Sequence, residues 1–519
     1  MTVSQIVPLL VILPLGAAFL IAVLANLPTG KPQQRNGRYL TSPLACAVVL
    51  ANLVIAVSLL RVDVQQPIYV GGWGPDRTLG IQLLCDGLTK LMAVTINLVA
   101  LVSIVFARPY MRRFTRVWLF EALFLLMTGA MNGVVLAGDL FNLFVFLEIA
   151  AIASYALVGF GCESEELEAA FKYLVLGTIG SAFILLGVTI LYSLTGQLNM
   201  AKVAVVLQKI PANGPAVLLA AAALVAGLAL KAAMVPFHAW LPDAHPSAPA
   251  PISAMLSGVL IKAAGIYALA RIVFNVLGVN PYYANVLIAL GVLSMVAGMF
   301  LALGQWDLKR LLAYSSISQA GYIVLALGVA AEVMSRATPD KAVAGLCLFG
   351  GLFHLFNHAA FKSLLFLSSG AIEQQVGTRR LRQMGGLARR MPVTSFCCRV
   401  GALSIAGVPP FNGFFSKLII ILALALAGHP ALCAIAAGVA VGTLLMYIKV
   451  QRYALDGQPS GPAAQAKEAP ALMGLAMLVL AIICIVAGLA FVPLRQYLFD
   501  PAGEILMRGR EALLMGAAQ

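Results

Sequence analysis

The stretch GLALKAAMVPFHAWLPDAHP, residues 227–246, sets a lysine, Lys231, inside an apolar run that Pro236 then breaks. Similar intrusions recur along the chain. In GDLFNLFVFLEIAAIASYALVGF, Glu148 follows Asp139 by nine residues, about 13 Å along a helix. Lys262 is central in SAMLSGVLIKAAGIYALA. In GGLFHLFNHAAFKSLLFL, His354 and His358 share one helix face, and Lys362 lies a further turn along. A second break, VPPFNGFFSK with Pro409 and Pro410, leads directly to Lys417.

The chemistry that suits such groups is proton transfer. An ionisable side chain in the middle of a membrane span costs about 2.5–3.5 kcal/mol, so repeated use of one implies a task. Burial disfavours an ammonium and a nearby carboxylate favours it. If Glu148 pairs with Lys231, moving the carboxylate switches the lysine between holding and releasing a proton. Histidines titrate near neutrality and relay protons through water. A backbone break at depth is tolerable only where protein or water satisfies it, so the break beside Lys231 is expected to admit water. The blander reading is an ion pair kept for packing, or a lysine reaching toward the span end. That reading stands level with the functional one for Lys362 and Asp139. His238 and His245 flank the first break and either cap it or join the path.

These residues need a membrane around them. Of 519 residues, 61% are hydrophobic and 10% charged, with mean hydropathy +0.96. A water-soluble chain could not hide so much apolar surface. Apolar runs long enough to cross a bilayer fall near 6–27, 40–60, 82–107, 117–136, 140–160, 171–194, 214–235, 250–277, 284–304, 311–332, 342–372, 395–427, 430–450 and 470–494. The expected fold is an all-α polytopic membrane protein of about fourteen spans, the seventh and twelfth discontinuous at Pro236 and at Pro409–Pro410. Paired broken helices in two halves point to inverted repeats with a site near mid-membrane.

The net charge of +14 is mostly a topology signal rather than a nucleic-acid footprint. The first span has no basic residue before it, while Lys31, Arg35 and Arg38 follow it, which argues against a cleaved leader. Arg108, Arg112, Arg113, Arg116, Lys309, Arg310, Arg379, Arg380, Arg382, Arg389, Arg390, Lys449, Arg452 and Lys467 fall in expected inside loops. Fewer fall outside, such as Arg61, Arg77, Lys202 and Lys209. Both termini are therefore expected outside. The eight cysteines form no C-x-x-C, so neither an iron–sulfur nor a zinc site is supported, and no glycine-rich nucleotide loop follows a strand. The chain has no visible means of redox chemistry alone, and whether it belongs to an enzyme is left open.

These residues in these contexts resemble the antiporter-like membrane subunits shared by respiratory complex I, membrane-bound hydrogenases and Mrp cation/proton antiporters. FNLFVFLEIAAIASYALVGF is similar to the family's fifth helix, and KAAMVPFHAWLPDAHPSAPAPISAMLSGVLIKAAGIYALAR to its seventh and eighth. QWDLKRLLAYSSISQAGYI, FNHAAFKSLLFLSSGAI and GVPPFNGFFSKL complete the likeness. The resemblance implies N-terminal helices one to three over 1–116, a first repeat over 117–277 and a second over 284–453. Helix fourteen and a short tail over 470–519 would follow, without the long lateral helix of the largest complex I paralogue. It implies Glu148 and Lys231 as a gating pair, Lys262, His354 and His358 as a central relay, and Lys417 as terminal carrier. Some relatives have glutamate at that last position. The lysine there, with VLIK around Lys262, leans equally toward the D-type Mrp antiporter subunit and the hydrogenase-linked type.

The resemblance further implies partner membrane subunits that would hold any iron–sulfur clusters or other redox centres, no cofactor or metal in this chain, and a prokaryotic inner membrane location. H⁺ would be the ion carried, with Na⁺ left open.

Overall fold

The computed structural model describes residues 3–26, 37–62, 67–71, 81–458 and 461–514. Lys31, Arg35 and Arg77, and the side chain of Arg38, lie outside the described residues.

Among the described residues twelve helices are long and apolar enough to cross a membrane. They are α1 (Val3–Asn26), α2 (Thr41–Leu59), α3 (Gly87–Arg113), α4 (Val117–Leu136), α5 (Leu140–Val158) and α6 (Ser164–Thr195). After the first break come α8 (Ala250–Leu277), α9 (Pro281–Leu303), α10 (Leu308–Met334), α11 (Lys341–Val376), α13 (Pro430–Leu455) and α14 (Ala471–Leu489). Two further units are split: α7a (Pro215–Lys231) with α7b (Leu241–Ser247), and α12a (Pro392–Ala406) with α12b (Asn412–Leu426). The protein is thus an all-α, multi-pass membrane protein, with the interruptions where the prolines put them. Proline lacks the N–H that a helix interior needs, so each break frees carbonyls that something else must satisfy.

Counted from α4, the units run five and five, and in each set the fourth is the split one. The apolar outer faces behave as lipid-facing surfaces should, with Phe19, Phe171, Phe300 and Leu489 all largely exposed. α8 is wholly buried and carries π-helical turns over Leu256–Tyr267 and Arg271–Leu277. Such turns shift carbonyls out of the ordinary ladder and gather at functional positions.

Close packing between α9 and α10 rests on glycine. A Cβ at Gly291 would stand 2.6 Å from the Leu325 backbone nitrogen, and one at Gly298 2.6 Å from that of Ser318. From the other side, a Cβ at Gly321 would stand 2.6 Å from Met295 N, and one at Gly328 2.7 Å from Ile288 N. The spacing of seven residues on each helix keeps all four on one seam, where lipid offers no hydrophobic drive and backbone proximity supplies the contact. At the end of α8 a buried ion pair fastens α3: Arg271 Nη1 lies 2.7 Å from Asp86 Oδ2, and Nη2 donates to Oδ1 at 2.9 Å. Burial alone would raise the Asp86 carboxyl, but the guanidinium beside it holds it below the usual carboxylate range. A short antiparallel pair of strands, Ile68–Val70 with Ile81–Leu83, precedes α3.

Gly321→Leu is expected to push α9 and α10 apart at a cost of about 1–3 kcal/mol from overpacking. The check is thermal unfolding and yield of the detergent-purified chain; wild-type values for both would contradict the seam.

Candidate functional site

α5 delivers Glu148 and the C-terminal end of α7a delivers Lys231, whose Nζ lies 3.3 Å from Glu148 Oε1. Lys231 is buried, while the carboxylate keeps 27% of its side chain exposed. Ser181 of α6 donates to the same Oε1, so the acid is held from two helices. Two aromatic contacts frame the pair. Tyr173 stacks on Trp240 at 4.1 Å and meets Tyr155 edge-on at 4.5 Å, and Trp240 Nε1 caps the Leu230 carbonyl at 3.0 Å. A cavity of about 10 Å³ lies beside Lys231 among Leu147, Tyr173, Trp240 and Leu260, room for a single water.

The remaining lysines rest on backbone carbonyls. Lys262 donates to the Ser257 carbonyl one π-turn away. Lys362 donates to the Leu312 carbonyl at 2.6 Å and to the Ser315 hydroxyl. Lys417 donates to the Ile405 carbonyl at 2.7 Å, one of those freed where α12a ends, and its Nζ stands 5.3 Å from the Tyr322 ring. A carbonyl stabilises an ammonium by its dipole and still accepts from a neutral amine, so these lysines can change protonation without losing their partner. Lys231 differs, because its partner is itself an anion.

Between Lys262 and Lys417 lie the histidines of α11. His354 Nδ1 is 2.9 Å from Ser416 Oγ, and its ring centroid is 6.4 Å from that of His358. His354 Nε2 and both nitrogens of His358 have no protein partner, although both rings are fully buried. Buried polar atoms of that kind call for water. Asn357 and Asn412 exchange hydrogen bonds, Nδ2 of each at 3.1 and 3.0 Å from the other residue, and so pin the start of α12b to α11.

The secondary candidates divide. Asp139 caps α5, its Oδ1 accepting from Phe141 N at 2.9 Å and Asn142 N at 2.8 Å. His238 is half-buried in the first break. His245 lies deeper than a surface cap would: it is fully buried, its ring is 4.6 Å from Phe366, and neither nitrogen finds a protein partner. Lys362 is as enclosed as Lys262, which removes the snorkelling reading for it.

Charge counting along the sequence put Lys309 near an inside loop without its partners. It lies in the first turn of α10, beside the loop expected to hold it, but buried, 2.8 Å from Glu373 Oε2 and 3.2 Å from the Ala248 carbonyl. It stands at a crevice of about 320 Å³ with Glu166, Glu373 and Arg379, whose wall Pro246–Pro249 directly follows His245. Sequence reasoning also passed over Ser181, Ser315, Ser416 and Asn412. The last two sit within the quoted VPPFNGFFSK, where a polar residue beside a break was the available signal.

Among the described residues no group of three or more His, Cys, Asp or Glu is placed to hold a metal.

Residues 137–443 match the family described as NADH:quinone oxidoreductase/Mrp antiporter, transmembrane. The N subunit of the NADH-quinone oxidoreductase of Desulforudis audaxviator is 38% identical over 501 residues, covering 93% of this chain and 95% of that protein. The D-type subunit of the Na(+)/H(+) antiporter of Alkalihalophilus pseudofirmus is 33% identical, covering 88% of this chain and 90% of the relative. Among solved structures, a chain of the Mrp complex from a Dietzia species aligns over the full length of both chains with a TM-score of 0.87 and 27% identity. A matched segment that takes in both helix breaks and all of the buried lysines and histidines settles the assignment: the chain belongs to the NADH:quinone oxidoreductase/Mrp antiporter transmembrane family.

Proposed function

We propose that the chain is a proton-translocating, antiporter-like subunit of a multisubunit, redox-driven membrane pump of the complex I or membrane-bound hydrogenase type. The observation that carries this reading is the Glu148–Lys231 pair beside the first break, with four more buried residues, Lys262, His354, His358 and Lys417, continuing from it. Chemistry in partner subunits would move the Glu148 carboxylate. Lys231, deprived of its anion in a low-dielectric setting, would then pass its proton toward Lys262. The histidines would carry it through water to Ser416 and Lys417, where the freed Ile405 carbonyl would receive the charged terminal carrier. Redox centres, iron–sulfur clusters included, would lie in those partners. The two five-helix sets would act as half-channels, in a prokaryotic inner membrane with both termini outside.

A second reading has its own support: the Mrp likeness extends over the whole chain, so the subunit could serve a Na⁺/H⁺ antiporter without redox partners. The subunit composition of the purified native complex separates the two. Quinone-site or hydrogenase-like subunits favour the first, and a set of small Mrp subunits alone the second.

Lys231→Ala is expected to reduce proton translocation by the reconstituted complex to below about a tenth of wild type, since a gating charge is worth several kcal/mol and each 1.4 kcal/mol is tenfold. The amount of assembled complex should stay unchanged; undiminished translocation would remove Lys231 from the path. Asp139→Ala should behave oppositely. Loss of a helix cap costs about 1 kcal/mol of stability and leaves the rate per assembled complex unaltered. A selective loss of translocation there would return Asp139 to the path.

A further inference from the structure

The proposed path does not use the adjacent serines of α10, yet they lie between Lys262, which belongs to it, and Lys362, which does not. Ser315, Ser316 and Ser257 are all fully buried. Lys362 of α11 donates to the Leu312 carbonyl at 2.6 Å and to Ser315 Oγ. Ser316 Oγ is 2.9 Å from that same Leu312 carbonyl and 2.7 Å from Ser257 Oγ on α8. The carbonyl of Ser257 in turn receives Lys262. At the far end, Ser315 Oγ is 2.9 Å from Tyr447 Oη on α13. One hydrogen-bonded network therefore runs from α13 through α11 and α10 to α8, with a lysine docked at each of two places.

Hydrogen accounting gives this network two settings. A carbonyl has two lone pairs, and the Leu312 oxygen already serves its helix, so the Lys362 amine and the Ser316 hydroxyl compete for what remains. With Lys362 docked, as here, Ser316 Oγ is within reach of both the Leu312 carbonyl and Ser257 Oγ, and the ammonium already on that carbonyl favours turning the single Ser316 hydrogen to Ser257. With Lys362 withdrawn, it returns to Leu312, and Ser257 donates to Ser316 instead. The dipole beside the Lys262 resting place thereby reverses according to where Lys362 stands. Two carbonyls, those of Leu312 and Ser257, interrupt the network, and a carbonyl passes no proton onward. It is a coupling element rather than a wire.

We propose that Ser316 and Ser257 are positioning residues that couple the docking of Lys362 to that of Lys262, so that the two lysines change state in sequence and not independently. The proposal rests on the proton-translocating reading of the chain. A bistable element whose equilibrium both sites bias is the physical form such coupling takes. His245, His354 and His358 are titratable groups that interact by charge with one or both of these lysines, and the Tyr447 hydroxyl joins the network at Ser315.

The test uses the purified native complex reconstituted in vesicles, with proton translocation followed from about pH 6 to 9. Ser316→Ala is expected to lower the rate about tenfold and to displace the pH profile by about one unit, the size of one hydrogen bond in a charged network. Ser316→Thr keeps the hydroxyl and should restore both to near wild type. Ser257→Ala should match Ser316→Ala, and the double variant should be no slower than either, because the pair acts as a unit. If one alanine variant does not assemble, the other carries the test. Wild-type rate and profile in an alanine variant, failure of threonine to rescue, or effects that multiply in the double variant would each overturn the coupling. A wild-type complex that translocates no protons would instead remove the functional reading beneath it.

Discussion

An ammonium buried in a lipid-embedded bundle has to touch oxygen. That single constraint organises most of what is distinctive here. Five lysines, Lys231, Lys262, Lys309, Lys362 and Lys417, are buried in the fold, and each meets a carboxylate, a hydroxyl or a backbone carbonyl. Hydrocarbon could not host any of them at bearable cost, and hydrophobic replacements would pack as well or better. For two of them the oxygen is supplied by irregular backbone. The end of α12a exposes the Ile405 carbonyl to Lys417, and the π-helical turns of α8 offer Ser257 to Lys262. The second helix break and the π-helical turns are therefore part of the electrostatics, and Pro409–Pro410 mark where unpaired backbone is needed.

The choice of oxygen separates the lysines into two kinds. Lys231 faces an anion that Ser181 also holds, so its charge depends on a group that can move or be neutralised. Lys262, Lys362 and Lys417 face neutral dipoles, so their partners remain whichever protonation state they adopt. In the proposed mechanism the pair at one end would act as the gate, and the sites whose partners are neutral as its conduit. Around both, glycine seams and interhelical polar pairs such as Asn97–Asn132 and Asn357–Asn412 keep the bundle in register.

Membership of a family whose members include subunits of NADH-quinone oxidoreductases and Na⁺/H⁺ antiporters fits a part that converts a distant event into proton movement. On the proposed reading the same bundle would serve either host, because coupling would enter at Glu148, whose side chain is partly exposed, while Lys262, His354, His358 and Lys417 behind it are enclosed by the chain's own helices. The driving chemistry can then change without disturbing the buried network.

Much of this was legible in the residue order, for a physical reason. Lipid penalises charge so steeply that Glu148, Lys231, Lys262, His354, His358 and Lys417 stand out against their apolar surroundings, and proline marks a broken helix wherever it falls. Span number, the two interruptions and the candidate carriers follow from local composition alone. Partnership does not. That Asp139 caps a helix while Glu148 meets Lys231, that Lys309 is buried against Glu373, and that Ser257, Ser316 and Leu312 join two lysines on different helices depend on which faces meet. A buried serine carries no penalty large enough to be conspicuous in a sequence, and helix rotation is set by packing. Only the assembled bundle decides which hydroxyl reaches which amine.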